Sequence, residues 1–228
     1  MILKKITKEI ADEFYSKYEH LGNSGLGVWH YGLYEGDELL SVVSYGTTCF
    51  NTNRGALGSI AKNYNTKIIQ LTRGGTKFNA PPNIPSQIIK LSLTAVRKTF
   101  GNSLIVAYSD VKWNEIGTIY QACNFLYLGV TEPGGQSNYI LNGKKLSGWV
   151  VRKKYGTRNI NILKSMGLDV NKIPLNPKHR YLYINAPSVL KKFITRDLSS
   201  LKQDYPKRSH YAVGSMHEIR TKLNLNCY

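Results

Sequence analysis

The sequence predicts an α+β fold: a mixed central sheet flanked by helices, with a basic insertion between the last strands. Three observations predict it. Runs with strand patterning alternate with stripes of helical spacing along the chain. One run, "SLIVAYSD" (103–110), is apolar through its middle, as expected of a strand covered on both faces. Positive charge is crowded into the last third of the chain.

The elements follow in order. Residues 7–20 read as a helix, with Ile10, Phe14 and Tyr18 at i, i+4 spacing. "NSGLG" (23–27) is a Gly-rich loop. "VWHYGLYEGDELLSVVSYG" (28–46) is two strands around an "EGDE" turn, a hairpin signal. "TKIIQLTRGG" (66–75) is a strand that ends on a Gly pair. "NAPPNIPSQIIKLSLTAVRKTFG" (79–101) is a Pro-rich loop feeding a helix, with Ile88, Leu91, Ala95 and Val96 on one face. After "SLIVAYSD" come a helix at "EIGTIYQACNF", a strand at "LYLGV" and a strand at "SNYILNG" (137–143). The basic stretch holds a short helix at "INILKSMG" and a strand, "HRYLYINA" (179–186). The last helix lies in "APSVLKKFITRDLSSL", with Pro187 and Ser188 at its start. From Asp204 the tail reads as loop.

The formal charge is +17 over 228 residues. Residues 1–143 hold 13 Lys+Arg and 10 Asp+Glu, net +3; residues 144–228 hold 18 and 4, net +14. A one-sign excess of this kind favours a polyanionic partner, because it costs self-repulsion that solubility alone does not require. Charge does not separate DNA from RNA. No run of eighteen apolar residues is present, so no membrane span is expected. The start lacks a signal-peptide core, and Cys49, Cys123 and Cys227 are odd in number and far apart. Both features fit reduced thiols in a cytoplasm. Nothing in the chain signals an oligomeric state.

Strand, "WNEIGTIYQACNF", strand resembles the last α/β unit of the GNAT (N-acetyltransferase-like) fold. Asn114, Tyr120, Phe125 and Gly129 stand in matching places, and Asn124 stands where Gly is usual. With "EHLG", "LTRGG", "NIPSQIIKLSL" and "KHRYLYI" in order, the series resembles the bacteriophage Mom-like DNA-modification proteins, a divergent GNAT-like group. The resemblance covers roughly residues 10–145 and 178–208. It implies a transferase that adds an acyl or carbamoylmethyl-type group to the N6 amine of adenine in double-stranded DNA. It also implies a role in protecting phage DNA from restriction in the cytoplasm of an infected host. On this reading 1–143 is a GNAT-like catalytic core, 144–178 a basic insertion that contacts nucleic acid, and 179–228 the strand, helix and tail that complete the core.

The resemblance implies acetyl-CoA or a related CoA donor, with phosphates at the start of the central helix. Unpaired N–H groups at a helix N-terminus accept phosphate oxygens. Asn83, Ile84, Ser86 and Gln87 are the residues placed there, and Pro85 suits an early helical position. The usual Gln/Arg-x-x-Gly-x-Gly/Ala loop is absent. Arg73 in "LTRGG" can clamp a phosphate or carboxylate bidentately, and the Gly pair lets backbone approach a ligand. Asp110 ends its strand, where a carboxylate can take a proton from an attacking amine or cap the next helix; Asn114 is the better cap by position. His20, at the end of the first helix, can be a base, a metal ligand or a helix-dipole partner. Tyr120 takes the place where many GNAT enzymes use a general acid, and it equally suits a core aromatic. A metal site from His20 and Asp110, with iron, is a further expectation drawn from the resemblance.

Trp29, Tyr31 and Trp113 are aromatic candidates to stack on an extruded base, or core residues. His30 reads as structural, and His210 and His217 form no metal spacing. For the polyanion, Trp149, Arg152, Lys153, Lys154 and Arg158 interleave bases with an aromatic ring, which suits phosphate contacts. Lys191, Lys192, Lys207 and Arg208 are the fallback surface. Two rival functions stay open: a GNAT-type acetyltransferase acting on a small amine or protein, and a non-catalytic nucleic-acid-binding protein of this fold.

Overall fold

The hairpin joins strands from before and after it in one seven-stranded sheet. The computed structural model describes residues 1–47, 55–111, 115–131 and 137–207. In chain order the elements are β1 (Ile2–Ile6), α1 (Lys8–Tyr18), β2 (Trp29–Glu35), β3 (Glu38–Thr47), α2 (Ala56–Asn63), β4 (Lys67–Thr76), α3 (Ile84–Phe100), β5 (Ser103–Asp110) and α4 (Thr118–Ala122). Then come β6 (Leu126–Val130), β7 (Ser137–Leu141), β8 (Lys144–Ser147), α5 (Gly148–Tyr155), α6 (Ile160–Ser165), β9 (Val170–Pro174), β10 (Lys178–Asn185) and α7 (Ser188–Asp197). Seven strands pair in the order β1-β2-β3-β4-β5-β10-β6, and β8-β7-β9 form a separate small sheet. In the large sheet only β4 and β5 pair in parallel.

The apolar run of β5 behaves as a doubly covered strand. Ile105 and Ala107 face the core under α3 and α4, while Leu104 and Val106 face the core under α2 and α7. α1 lies on this second face, over Val42. Its buried stripe is Ala11, Phe14 and Tyr15, and Ile10 is exposed, one position off the stripe read from spacing. In α3 the buried side chains are Ile84, Ile88, Ile89, Ser92, Leu93 and Val96, and Leu91 points outward. Each buried aliphatic side chain of this helix contributes about 1.5–3 kcal/mol.

The outer strand β6 is covered by the segment after α7. Gln203 bridges to Tyr127, donating its N–H to the Tyr127 carbonyl at 2.9 Å. Tyr205 donates its hydroxyl to the Phe125 carbonyl at 2.6 Å. Gly129 makes this possible: at φ +79° a Cβ there would meet the Gln203 amide at 2.7 Å. An edge covered this way cannot recruit another strand.

The basic insertion is a folded unit. Tyr139, Leu141, Val151, Leu163 and Val170 form its own core, and α5 and α6 cover one face of the small sheet. The sequence reading groups residues 137–143 with the catalytic core; β7 instead pairs with β8 and β9, so the unit begins at Ser137. Across 137–174 the chain holds eight Lys+Arg and one Asp, net +7.

Candidate active site

A break in strand pairing makes the site. β4 and β5 pair from Lys67↔Ser103 to Leu71↔Ala107 and no further. Yet β4 continues to Thr76 beside β3, and β5 continues to Asp110 beside β10. Two strands that stop pairing while each stays bound on its other side must diverge. A bulge starts the divergence: Tyr45 faces Leu71 and Ser44 faces Arg73, so Thr72 is the extra residue. The Thr72 hydroxyl is tied back to the Ser44 carbonyl at 3.1 Å. The result is a wedge opening in the sheet, whose two walls carry backbone groups that a slim extended ligand can pair with.

Arg73 stands on one wall, on the face that carries α1. Its Nε donates to the Asn23 carbonyl at 3.0 Å, and Nη1 is 3.9 Å from Glu19 Oε1. Gly25, at φ +58°, passes so close that a Cβ there would be 3.1 Å from Nη2. Glu19 is the hub of this side. Its Oε1 lies 3.0 Å from His20 Nδ1, and its Oε2 accepts the Leu21 N–H at 2.8 Å. Burial alone would raise the Glu19 carboxyl, but His20, Arg73 and the Leu21 N–H outweigh it and hold it below the ordinary glutamate value. In return the Glu19 hydrogen bond raises His20 above the ordinary histidine value. Beneath them, Ser44 Oγ joins the Tyr15 hydroxyl at 2.9 Å and His30 Nδ1 at 2.7 Å. His30 is thus structural, as expected.

The other wall ends at Asp110. Its N–H donates to Glu115 Oε2 at 3.3 Å. Glu115 is exposed as a residue, but protein crowds its carboxyl. That desolvation raises its proton affinity, and the charges of Asp110 and Glu19 add to the rise. The Asp110 N–H and the His20 charge oppose it. The stretch after Glu115 is clamped. The Tyr181 hydroxyl and Gln121 Nε2 both donate to the Ile116 carbonyl, the latter at 2.8 Å. Gly117, at φ +65°, leaves room for the Tyr181 ring, which a Cβ would meet at 2.4 Å. Tyr120 packs between Phe125 and Tyr181, with ring centroids at 5.4 and 5.3 Å. Burial raises its phenol, Glu115 raises it further, and Arg73 lowers it. Tyr120 is therefore a core aromatic and also in electrostatic reach of both walls.

His20 and Arg73 thus share Glu19, Asp110 bonds Glu115, and charges from both walls act on Glu115 and Tyr120. Sequence reasoning missed Glu19 and Glu115. Glu19 had a signal, an acid directly before a helix-terminal His in "YEHLG". Glu115 had none, because no local pattern shows that its carboxylate meets the Asp110 N–H. The expected metal pair of His20 and Asp110 gains no support: among the described residues no group of three His, Cys, Asp or Glu side chains is placed to hold a metal ion. His20 Nδ1 is engaged by Glu19 instead. Trp113 and Asn114 lie outside the described residues, as do Cys49, Cys227, Arg208, His210 and His217. Trp29 packs on Phe100 at 4.4 Å, and Tyr31 is buried edge-on to Tyr45, so neither is placed to stack on a ligand.

The start of α3 has an unusual donor set. Pro81, Pro82 and Pro85 have no N–H. Ile84 is fully buried and its N–H goes to the Pro81 carbonyl at 3.1 Å, so Ile84 offers a ligand nothing polar but its chain position. The Gln87 N–H goes to the Asn83 carbonyl at 3.0 Å. Among the described residues the Ser86 N–H is the first-turn amide without a backbone partner. The Ser86 hydroxyl donates to the Asn83 carbonyl at 3.0 Å, and the Asn83 side chain makes no cap bond. The Ser86 amide and the Asn83 and Gln87 side chains fit an anionic group here, with side-chain amides standing in for the N–H groups that the prolines lack.

The nucleic-acid candidates lie on the small unit. Trp149 is 69% exposed on α5, with Lys153 Nζ 5.2 Å from its ring centroid. Trp149, Arg152 and Lys153 share one helix face at i, i+3, i+4. Lys154 lies over Tyr155, and Arg158 is exposed beside Gly148. The unit joins the large sheet at the wedge end: Lys178 pairs with Asp110, and the Thr131 N–H donates to the Lys178 carbonyl at 2.8 Å. No helix among the described residues is long and apolar enough to cross a membrane.

Comparison with solved structures finds acetyltransferases. An IAA acetyltransferase from Bacillus cereus is 11% identical with a TM-score of 0.46, over 80% of this chain and 98% of that one. A Bacillus subtilis acetyltransferase in complex with CoA is 14% identical at 0.39, over 78% and 84%. FeeM, an N-acyl amino acid synthase from uncultured soil microbes, is 13% identical at 0.40, over 81% and 95%. Likenesses this distant carry no substrate or donor across. No curated protein matches the chain. The model of the Mom protein family matches residues 1–207, and the chain belongs to that family.

Proposed function

We propose that this Mom family member is a transferase that modifies the N6 amine of adenine in DNA with an acyl or carbamoylmethyl-type group, and so protects phage DNA from restriction. One observation carries the reading: the charged cluster at the wedge and the +7 unit meet at the same end of the sheet, where Lys178 pairs with Asp110. A double-stranded polyanion held by the small unit would have its bases delivered to that opening.

The donor fitting the wedge is of CoA type, with its phosphates at the Ser86 amide and the Asn83 and Gln87 side chains. Where the group is acyl, such a donor would supply a thioester carbonyl carbon, whose bond to sulfur would break as the bond to the amine nitrogen forms. The chain's own residues do the rest. An exocyclic amine must lose a proton as its new bond forms, and Glu115, with raised proton affinity and Asp110 beside it, is built to accept one. Tyr120, in electrostatic reach of both walls, is the phenol we assign to donate one to a leaving sulfur, although burial makes it a weaker acid than a free tyrosine. Arg73, fixed by Asn23 and Glu19, sets a guanidinium charge on its wall to offset negative charge that grows during transfer. His20, whose proton affinity is raised by its bond to Glu19, lies on the same wall.

Mass spectrometry of nucleosides from host DNA tests this, with and without expression of the chain. The expected result is an enlarged deoxyadenosine in expressing cells. Unmodified nucleosides alone, where folded protein is abundant, overturn the reading. Tight duplex binding with that result would favour the non-catalytic alternative.

A further inference from the structure

The loop between α1 and β2, residues 19–28, is stiff. Asn23 Nδ2 donates to the Leu21 carbonyl at 2.8 Å, the Gly25 N–H to Asn23 Oδ1 at 2.9 Å, and the Gly27 N–H to the Ser24 carbonyl at 3.0 Å. Longer ties fix it to the body. The Ser24 N–H donates to Asp12 Oδ1 at 2.6 Å, and Arg73 holds the Asn23 carbonyl. Asp12 is itself bonded to Lys8, and these bonds lower its carboxyl to about 2. The loop passes so close to Gly46 that a Cβ there would be 2.3 Å from the Leu26 carbonyl oxygen.

This rigid polar frame displays apolar side chains outward. Leu26 is 70% exposed and Leu21 51%. Gly25, the residue before Leu26, leaves room for the Arg73 guanidinium, which a Cβ there would meet at 3.1 Å. An exposed leucine on a loop held by this many hydrogen bonds, at the mouth of a charged site, is available to an apolar surface brought there by the substrate.

We propose that Leu26 is the wedge that enters the DNA stack when the target adenine is extruded. This rests on the DNA reading above. A base inside a duplex cannot present its amine to the cluster at Arg73 and Glu115, so it must leave the stack. Apolar side chains inserted between base steps offset part of that unstacking. A preset loop loses little entropy on insertion. The basic unit of 137–174 holds the phosphates while Leu26 contacts the ring faces left behind, and Leu21 flanks it.

Permanganate oxidises thymines that have lost stacking, so it reports extrusion of the paired adenine without any donor. Wild-type protein bound to plasmid duplex should produce a set of reactive thymines. Leu26→Ala should bind with nearly unchanged affinity and lower their reactivity by about tenfold. Leu26→Met should restore it. Wild-type reactivity in Leu26→Ala overturns the wedge. Binding by the wild type without any reactive thymine also overturns it, and leaves the nucleoside result to judge the chemistry separately. A fall in Tm for Leu26→Ala that matches its loss of reactivity makes the residue structural and overturns it as well.

Discussion

The wedge in the large sheet and the small unit of 137–174 are built on opposite principles. The wedge sets charges of both signs close together: Glu19 faces His20 and Arg73, and Glu115 accepts the Asp110 N–H. Its groups are clamped by backbone carbonyls and buried rings. The small unit leaves eight cations against one acid, and α5 turns Trp149, Arg152 and Lys153 outward. Balanced, fixed charge suits chemistry, because proton affinities can be set apart. Unbalanced, solvated charge suits attraction to phosphates, because counterion release needs little geometry. The difference teaches that the two tasks are housed separately and should fail separately.

The largest expected effects come from the wedge. Arg73→Ala and Glu115→Gln should each lower adenine modification roughly 100-fold or more while duplex affinity stays near wild type. Glu115 sharpens the comparison further. Its carboxyl binds a proton more tightly in the folded state than in the unfolded chain, so its ionisation costs stability as pH rises through the raised value. Glu115→Gln should therefore melt at the same or a higher temperature at neutral pH while losing activity. In the wild type, modification should fall as pH drops through that raised value, since an acceptor must be unprotonated. A melting temperature that falls with activity would make Glu115 structural.

A smaller effect is expected from the core of the small unit. Leu163 is fully buried there, and Leu163→Ala should destabilise the unit by about 2–5 kcal/mol. Hydrogen exchange should rise across 137–174 while amides of β4 and β5 stay protected. Equal loosening of both regions would break the claim that they are separate cores.

The same contrast decides what can be read from the sequence. The hairpin, β4, α3 and β5 are legible because their periodicity is strong and burial follows it. Arg73 and Asp110 are legible because Arg73 precedes a Gly pair and Asp110 ends its strand, positions where a ligand can approach. Other features are not. Periodicity cannot say which sheet a strand joins, so the strand pattern at β7 points to the wrong neighbour. α5 buries only Gly148 and Val151, too few for a stripe, and its charges read as loop. β1, "ILKKI", buries Ile6 alone. α2 is short and follows a polar stretch, and sequence reasoning misses it altogether. The splay itself arises from pairing that stops, which no local pattern records.

The division of labour is tested most directly by the salt dependence of duplex affinity. The fourfold variant Arg152→Gln, Lys153→Gln, Lys154→Gln, Arg158→Gln is measured beside Arg73→Ala and the wild type. The fourfold variant should have a slope of log affinity against log salt that is shallower by up to about 0.9 for each phosphate it no longer neutralises. Arg73→Ala should keep the wild-type slope. The weakening should be similar across sequences, because phosphate contacts position the protein without reading bases. An unchanged slope in the fourfold variant would place the DNA surface elsewhere, and a wild type insensitive to salt would contradict the account.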